Sequence, residues 1–270
     1  MTDPTELDLP AYLARVEYNG DLAPTAAVLD ALHLAHATHI PFENLDVLLG
    51  RPIRLDLGNV QAKLVHDFRG GYCFEQNLLF AAVLRHLGFA VAPLAARVRY
   101  RATRLLPRTH MLLKVRAGGA DWIADVGFGA GGPLKPVPFV AGREAVQFAW
   151  TYRVVEEAGG LWVLQIGRHD DVWDDLYSFT LEPQEVVDYE LANYFISTHP
   201  DSPFTSVVTA QRSTPEARFV LRNRVLTTDR GTELATRVLA DDAELVRVLA
   251  ATFGLHVPTG RELRYHDPQA

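Results

Sequence analysis

The only cysteine among the 270 residues lies in RGGYCFEQN, residues 69–77. A free thiol with a pKa of ~8.5 is only about 3% thiolate at neutral pH, and the thiolate is the nucleophile. A helix N-terminus and a cationic neighbour both favour the anion. Cys73 has the first of these in prospect. Gly70 and Gly71 lack a Cβ, so the chain can turn sharply there or admit another backbone. After them Phe74, Asn77, Leu78, Ala81, Ala82, Leu84 and Leu87 recur at steps of three and four, the period of an amphipathic helix, with Gly88 as its stop. The spacing predicts Cys73 in the first helical turn, in need of a histidine as its cationic partner.

A histidine with a carboxylate is legible further along. THMLLKV, residues 109–115, and WIADVGFG, residues 122–129, flank a segment containing Gly118-Gly119 and read as a β-hairpin. With an even loop, paired positions sum to an odd number. A sum of 235 sets His110 opposite Asp125 and a sum of 237 sets the two diagonally, whereas an odd loop separates them. In either even register both side chains leave the same face of the sheet. A carboxylate beside an imidazole fixes its tautomer and supports its charged form.

Two other patterns invite chemistry. GFGAGGP, residues 127–133, has four glycines in seven positions, and successive backbone N–H groups in such a loop can form a concave anion site. It lacks the spacing of a P-loop. His33, His36 and His39 stand three apart, but such steps spread them around the helix with no carboxylate at ligand spacing, so packed or solvated histidines are expected and no metal is implied.

Elements to hold these residues follow in order. Helices are expected over 9–16, 24–38 and 60–68, the last running into Arg69, and PFENLDVLLG, residues 41–50, reads as one short connection. Arg69 and Glu43 are candidate ion-pair partners bracing the glycine turn. Beyond Gly88 the period becomes that of strands, at 90–95 and 97–100, which marks a domain boundary. Residues 150–155 and 161–166 form a second hairpin through Gly159-Gly160, and 172–180 continues as a strand, completing a barrel or curled sheet. Residues 183–195 are expected helical, 198–206 a loop and 218–228 extended. Asp241 caps a last helix ending at Gly254.

Composition narrows the function. Hydrophobic residues at 48% and charged residues at 22% are those of an ordinary globular protein. A net charge of −7 argues against non-specific nucleic-acid or anionic-membrane binding. No apolar run reaches the ~20 residues of a membrane span. An acidic N-terminal segment without a long apolar stretch and a cysteine with no internal partner point to the cytoplasm.

Together RGGYCFEQN, PFENLD, THMLLKV, DVGFG and STHPDSPF, in this order and spacing, resemble the arylamine N-acetyltransferase family, bacterial members above all, over most of the chain. The resemblance implies an α+β fold with a cysteine-protease-like core: a helical bundle over 1–88 carrying the nucleophile, a β-barrel over 89–182 carrying the histidine and aspartate, and an α/β lid over 183–270. It implies Cys73, His110 and Asp125 as catalytic triad, and ping-pong transfer of acetyl from acetyl-CoA to arylamines, hydrazines or arylhydroxylamines through a cysteine thioester. Phe42, Val98, Phe128 and Phe204 match acceptor-pocket positions, and Thr109 and Gly129 fall near CoA contacts. Tyr100 stands where relatives often carry tryptophan, and the connection over 101–108 carries Arg101, Arg104 and Arg108. Small-molecule amine and acyl-CoA are the implied partners of a monomer or homodimer, with no metal, in xenobiotic metabolism. The alternatives are an amide synthase moving a carrier-bound acyl chain to an aromatic amine with the same triad, an amide hydrolase or cross-linker, and a non-catalytic small-molecule binder.

Overall fold

The computed structural model describes residues 6–167, 172–258 and 260–266. The chain opens with helices α1 (Leu9–Arg15) and α2 (Ala26–His39), the latter capped by the Thr25 side chain on the Val28 N–H. Residues 41–50, expected as a connection, instead hold a two-residue strand β1 (Phe42–Glu43) and a short helix α3 (Leu45–Leu48). The helix expected over 60–68 begins earlier, as α4 (Leu57–Gln61) capped by Asp56. It widens into a π-turn over Ala62–His66 and stops before Phe68, whose φ of 53° is left-handed. Helix α5 (Cys73–His86) then starts at the cysteine and is followed by Gly88 at φ 88°.

Eight strands follow or join in one curled sheet: β2 (Ala90–Val98), β3 (His110–Ala117), β4 (Ala120–Ala124), β5 (Val137–Pro138), β6 (Ala145–Gln147), β7 (Trp150–Glu157), β8 (Leu161–Gly167) and β9 (Trp173–Pro183). Their order, β5-β4-β3-β2-β9-β8-β7-β6, curls into a nearly closed barrel in which β5 comes back against β7. The two segments expected at 90–95 and 97–100 are one strand, with a bulge between Leu94 and Ala96 in its pairing to β9. The β3–β4 turn is the pair Gly118-Gly119, at φ 59° and 78°. Positive φ at both positions suits a type I′ hairpin, which glycine enters without a Cβ penalty.

Helix α6 (Val186–Thr198) begins three residues later than expected because Pro183 ends β9 and the Asp188 side chain accepts the Glu185 N–H ahead of the first turn. A 3₁₀ turn at Pro203–Thr205 leads to a second sheet of β10 (Thr209–Ser213), β11 (Arg218–Arg222), β12 (Val225–Asp229) and β13 (Leu234–Val238), and α7 (Asp242–Phe253) closes the fold. The run expected as one extended piece over 218–228 is thus a hairpin, turning at Asn223 in the left-handed region. The sheet order is β1-β10-β11-β12-β13, so β1 from the N-terminal segment is its edge.

Strand β3 separates two cores by its alternation. Met111, Leu113 and Val115 pack with Leu29, Leu32, Phe74, Phe80 and Leu84 of the helices, while Leu112 faces the barrel interior with Leu94, Ile123, Leu164 and Phe179. Each such side chain, fully buried, contributes about 1.5–3 kcal/mol. A third core joins α3, β10, β11 and α7 through Leu48, Ala210, Leu221 and Leu249. Among the described residues no helix is long and apolar enough to cross a membrane.

Candidate active site

The turn that presents Cys73 is built by close backbone approach. Neither Gly70 nor Gly71 takes a positive φ. A Cβ on Gly70 would lie 2.1 Å from the Pro41 carbonyl oxygen, and the Gly71 N–H donates to that oxygen at 3.3 Å while its own carbonyl accepts the Glu43 N–H at 3.1 Å. Arg69 braces the approach as expected and more: Nη2 reaches Glu43 Oε1 at 2.6 Å, and Nη1 reaches Asp46 Oδ1 at 3.2 Å. Lys63 completes the network, 2.7 Å from Glu75 and 3.0 Å from Asp46. Glu75 Oε2 accepts the Tyr72 N–H at 3.1 Å, satisfying a donor that the start of α5 leaves open. From the other side His36 donates Nε2–H to Gln76 Oε1 at 2.7 Å, and Gln76 Nε2 donates to the Pro41 carbonyl at 2.9 Å.

The hairpin register is the one whose pairs sum to 237: Leu113 faces Ala124 and Ala117 faces Ala120. His110 and Asp125 therefore stand diagonally on the barrel face of the sheet, with Nε2 2.7 Å from Oδ2. Both are buried. With Nε2 engaged by Asp125, Nδ1 is the ring nitrogen left for another partner; Cys73 is near enough for its sulfur to support the His110 charge, and its thiol donates to the Thr109 carbonyl at 3.6 Å. Burial alone pulls the His110 pKa down, but the charge and hydrogen bond of Asp125 outweigh it, and with Cys73 they raise it to about 10. Asp125 is likewise opposed by burial, and His110, Asn77 and the Gly127 N–H hold its carboxyl below the usual range.

Asn77, one turn after Cys73, is the polar hub that sequence reasoning missed. Its Nδ2 donates to Asp125 Oδ1 at 3.0 Å and to the Met111 carbonyl at 2.8 Å, and its Oδ1 accepts the Val126 N–H at 3.2 Å. The available signal was an amide on an otherwise apolar helix face. His33 and His36 are packed rather than solvated, each with both ring nitrogens in hydrogen bonds, and among the described residues no cluster of three His, Cys, Asp or Glu side chains could hold a metal.

The remaining candidates fall into two walls. The Phe42 and Phe204 rings lie 5.9 Å apart with Tyr72 6.0 Å from Phe204, and the Tyr72 hydroxyl is tied to Asn193 of α6. Phe128 packs edge-on to His110 at 5.2 Å and against Tyr177 at 5.3 Å, and Val98 pairs with Tyr177 across β2 and β9. Thr109 contributes its carbonyl beside the sulfur. Gly129, at φ 87°, rests against Gln211 of β10, where a Cβ would meet Oε1 at 2.3 Å. The glycine-rich loop is not an open anion cradle. Its N–H groups at Gly127, Ala130 and Gly132 already donate to Asp125, Gln211 and the Gly129 carbonyl.

A sulfur at a helix start, an imidazole whose pKa is raised and a buried carboxylate make up a set of groups suited to covalent acyl transfer. Comparison with known proteins agrees in kind. The N-acetyltransferase family model matches residues 25–262. The arylamine N-acetyltransferase of Escherichia coli K12 is 41% identical over 249 residues, covering 91% of this chain and 88% of that protein. The structure of the Nocardia farcinica arylamine N-acetyltransferase superposes with a TM-score of 0.88 at 42% identity, covering 96% of this chain and 95% of that one. The Mycobacterium marinum arylamine N-acetyltransferase in complex with CoA gives 0.86 at 36% identity, covering 92% of each. The chain belongs to the arylamine N-acetyltransferase family.

Proposed function

We propose that the protein moves acetyl from acetyl-CoA to arylamines, hydrazines or arylhydroxylamines by a ping-pong mechanism through a thioester on Cys73. The observation that carries this reading is the buried 2.7 Å contact of His110 with Asp125, beside a Cys73 whose sulfur supports the His110 charge. An imidazolium beside sulfur favours thiolate. In the first half-reaction the Cys73 sulfur bonds to the thioester carbonyl carbon, the bond to the CoA sulfur breaks, and that sulfur leaves with the His110 proton. In the second the amine attacks the acyl-enzyme, gives its proton to neutral His110 and displaces Cys73, restoring the ion pair. The carbonyl oxygen develops negative charge in both steps, and the Cys73 backbone N–H, at the first helical position, is the donor we assign to it.

Phe42, Val98, Phe128 and Phe204 are assigned to the aromatic part of the acceptor, and Thr109 and Gly129 to the pantetheine arm of the donor. A cavity of about 480 Å³ on the outer side of the glycine-rich loop is assigned to the nucleotide end. Tyr100, Trp150 and Trp173 line it, with the guanidinium groups of Arg101, Arg218 and Arg153 over their rings, and Glu144 and Asp229 are acceptors for hydroxyl and amino groups. Arg218 offers charge: it is 4% exposed, lies 3.7 Å over Trp150, and among the described residues its Nε has no partner.

Intact-mass measurement after adding acetyl-CoA tests the mechanism. The expected result is one acetyl adduct on Cys73 that disappears when an arylamine is added, and none in Cys73→Ala. Full turnover by Cys73→Ala refutes it, and turnover with a carrier-bound acyl chain but none with acetyl-CoA reassigns the protein as an amide synthase.

A further inference from the structure

Strand β4 ends at Ala124, and its last ladder pair is Leu113 with Ala124. The next N–H, that of Asp125, is buried at the point where the chain must leave the sheet to enter the glycine-rich loop, and no strand receives it. A buried N–H without a partner costs about 1–3 kcal/mol. The partner is an imidazole from a distant helix: His33 of α2 accepts the Asp125 N–H on Nε2 at 3.0 Å. The other ring nitrogen, Nδ1, lies 3.0 Å from the carbonyl of Leu134. A carbonyl only accepts, so Nδ1 carries the proton and Nε2 the lone pair, and the ring is neutral in a single tautomer. His33 is fully buried, and burial lowers its pKa to about 4 against the weaker opposing influences of the Leu134 carbonyl and then of Asp125, which agrees with the neutral form.

Asp125 and Leu134 are the two ends of one loop. Between them lie Phe128, which packs on His110, and Gly129, which meets Gln211. One ring thus closes the base of the loop. A second link runs beside it, one turn earlier on α2, where Asp30 pairs with Lys135 at 2.8 Å. The Phe80 ring stands edge-on to His33 at 5.6 Å and limits its rotation.

We infer that His33 is a positioning residue for acyl transfer, a neutral donor-acceptor clamp that fixes the backbone of Asp125 and the loop carrying Phe128. This rests on the roles proposed for Cys73, His110 and Asp125. His33 touches neither substrate nor the reacting atoms, and it acts through where it holds Asp125. A displacement of about 1 Å in such a group is worth as much as a hundredfold in rate.

Two substitutions separate clamp from filler. His33→Gln keeps one acceptor and one donor at the end of a side chain of similar reach. His33→Phe keeps a ring in the space and removes both. Measured as single-turnover acylation at saturating acetyl-CoA, His33→Phe is expected to fall about ten- to a hundredfold with KM for the donor within about threefold of the parent, and His33→Gln to retain most of the rate. An acylation rate for His33→Phe within about twofold of the parent, or equal losses in the two variants, overturns the assignment. In the parent protein, long-range proton–nitrogen NMR is expected to show His33 with its proton on Nδ1 at neutral pH, and hydrogen exchange to show a protected Asp125 amide. A proton on Nε2, or an unprotected amide, overturns the clamp even where His33→Phe fails to fold. A parent protein that forms no acyl-enzyme but passes both measurements refutes the proposed function and leaves the clamp standing.

Discussion

Asp125→Asn removes one negative charge from a buried pair 2.7 Å apart while hardly changing the shape of the side chain. Its effect on His110 is calibrated inside the same molecule. His33 and His36 are buried like His110 but donate to no carboxylate, and burial takes them down to about 4 and about 3. His110 stands at about 10 because Asp125 and Cys73 outweigh the same burial. Each step of one in pKa is a factor of ten in the ratio of imidazolium to imidazole, about 1.4 kcal/mol. Half the distance between His110 and His33 is therefore about a thousandfold in that ratio, enough to leave His110 about half neutral at neutral pH and largely neutral above it. Cys73 would then lose its cationic neighbour and the departing CoA sulfur its proton donor. Single-turnover acylation by acetyl-CoA, followed by stopped flow across pH 5.5 to 9, is expected to fall roughly 10²–10³-fold at neutral pH, with the remaining activity displaced to acid. Thermal melting establishes that the variant is folded. A rate within about threefold of the parent, with the same pH profile, would refute the assignment of imidazolium support to Asp125.

Gly127→Ala puts a Cβ 2.8 Å from Cys73 Cα and 2.9 Å from its carbonyl oxygen, both rigid backbone, so a loss of about 1–3 kcal/mol in denaturant unfolding and a collapse of acylation are expected. Gly119→Ala, with φ 78° and open space around it, is the control: about 1 kcal/mol less stable and fully active. Arg69→Ala leaves the wholly buried Glu43 carboxylate without its guanidinium, and denaturant unfolding is expected to register about 3–5 kcal/mol. The histidines also give the fold a stability maximum near pH 6.5. His110 is raised, so its contribution is complete below 6.5 and drains away as pH rises through about 10. His33 and His36 are lowered, so theirs is lost as pH falls from 6.5 toward about 4 and about 3. Melting curves across this range are expected to fall on both sides in the parent, and Asp125→Asn to lose the alkaline limb.

The residues proposed as a triad stood out in the sequence because their types are scarce and their positions periodic. A lone cysteine after two glycines at a helix start is an uncommon pattern, and an even hairpin loop, the case the structure shows, leaves only registers that set His110 and Asp125 on one face. Other elements left no such trace. Strand β1 has two residues, too few for a period, and pairs with β10 some 170 positions away, Phe42 with Gln211. Strand β13 is exposed along its length, so nothing alternates. The β11–β12 turn uses Asn223 where glycine would have advertised it. The glycine-rich loop read as an anion cradle because a sequence counts N–H groups without saying which are taken. The acceptors that take them, Asp125 Oδ1 and Gln211 Oε1, come from the adjoining hairpin and from the far sheet.

What the sequence concealed, then, is mostly the polar side chains that bond to backbone. Three segments supply Cys73, His110 and Asp125, and apolar packing brings them together without fixing them to a fraction of an ångström, because dispersion and burial are nearly indifferent to small slides. Hydrogen bonds are directional, and the ones here join segments through main-chain atoms. Asn77 ties α5 to β3 at Met111 and to the chain beyond β4 at Val126, Gln76 ties it to Pro41, and His33 ties α2 to Asp125 and Leu134. Main-chain atoms are the same whatever residue carries them, so no pair of side-chain types announces these contacts. Their only sign is a polar residue at a position whose period says it should be apolar, which is where Asn77 stands, between Phe74 and Ala81 on α5. In a buried site such a mismatch is the mark of a residue that sets geometry, and it is the place to look for the next positioning group after the reacting atoms are known.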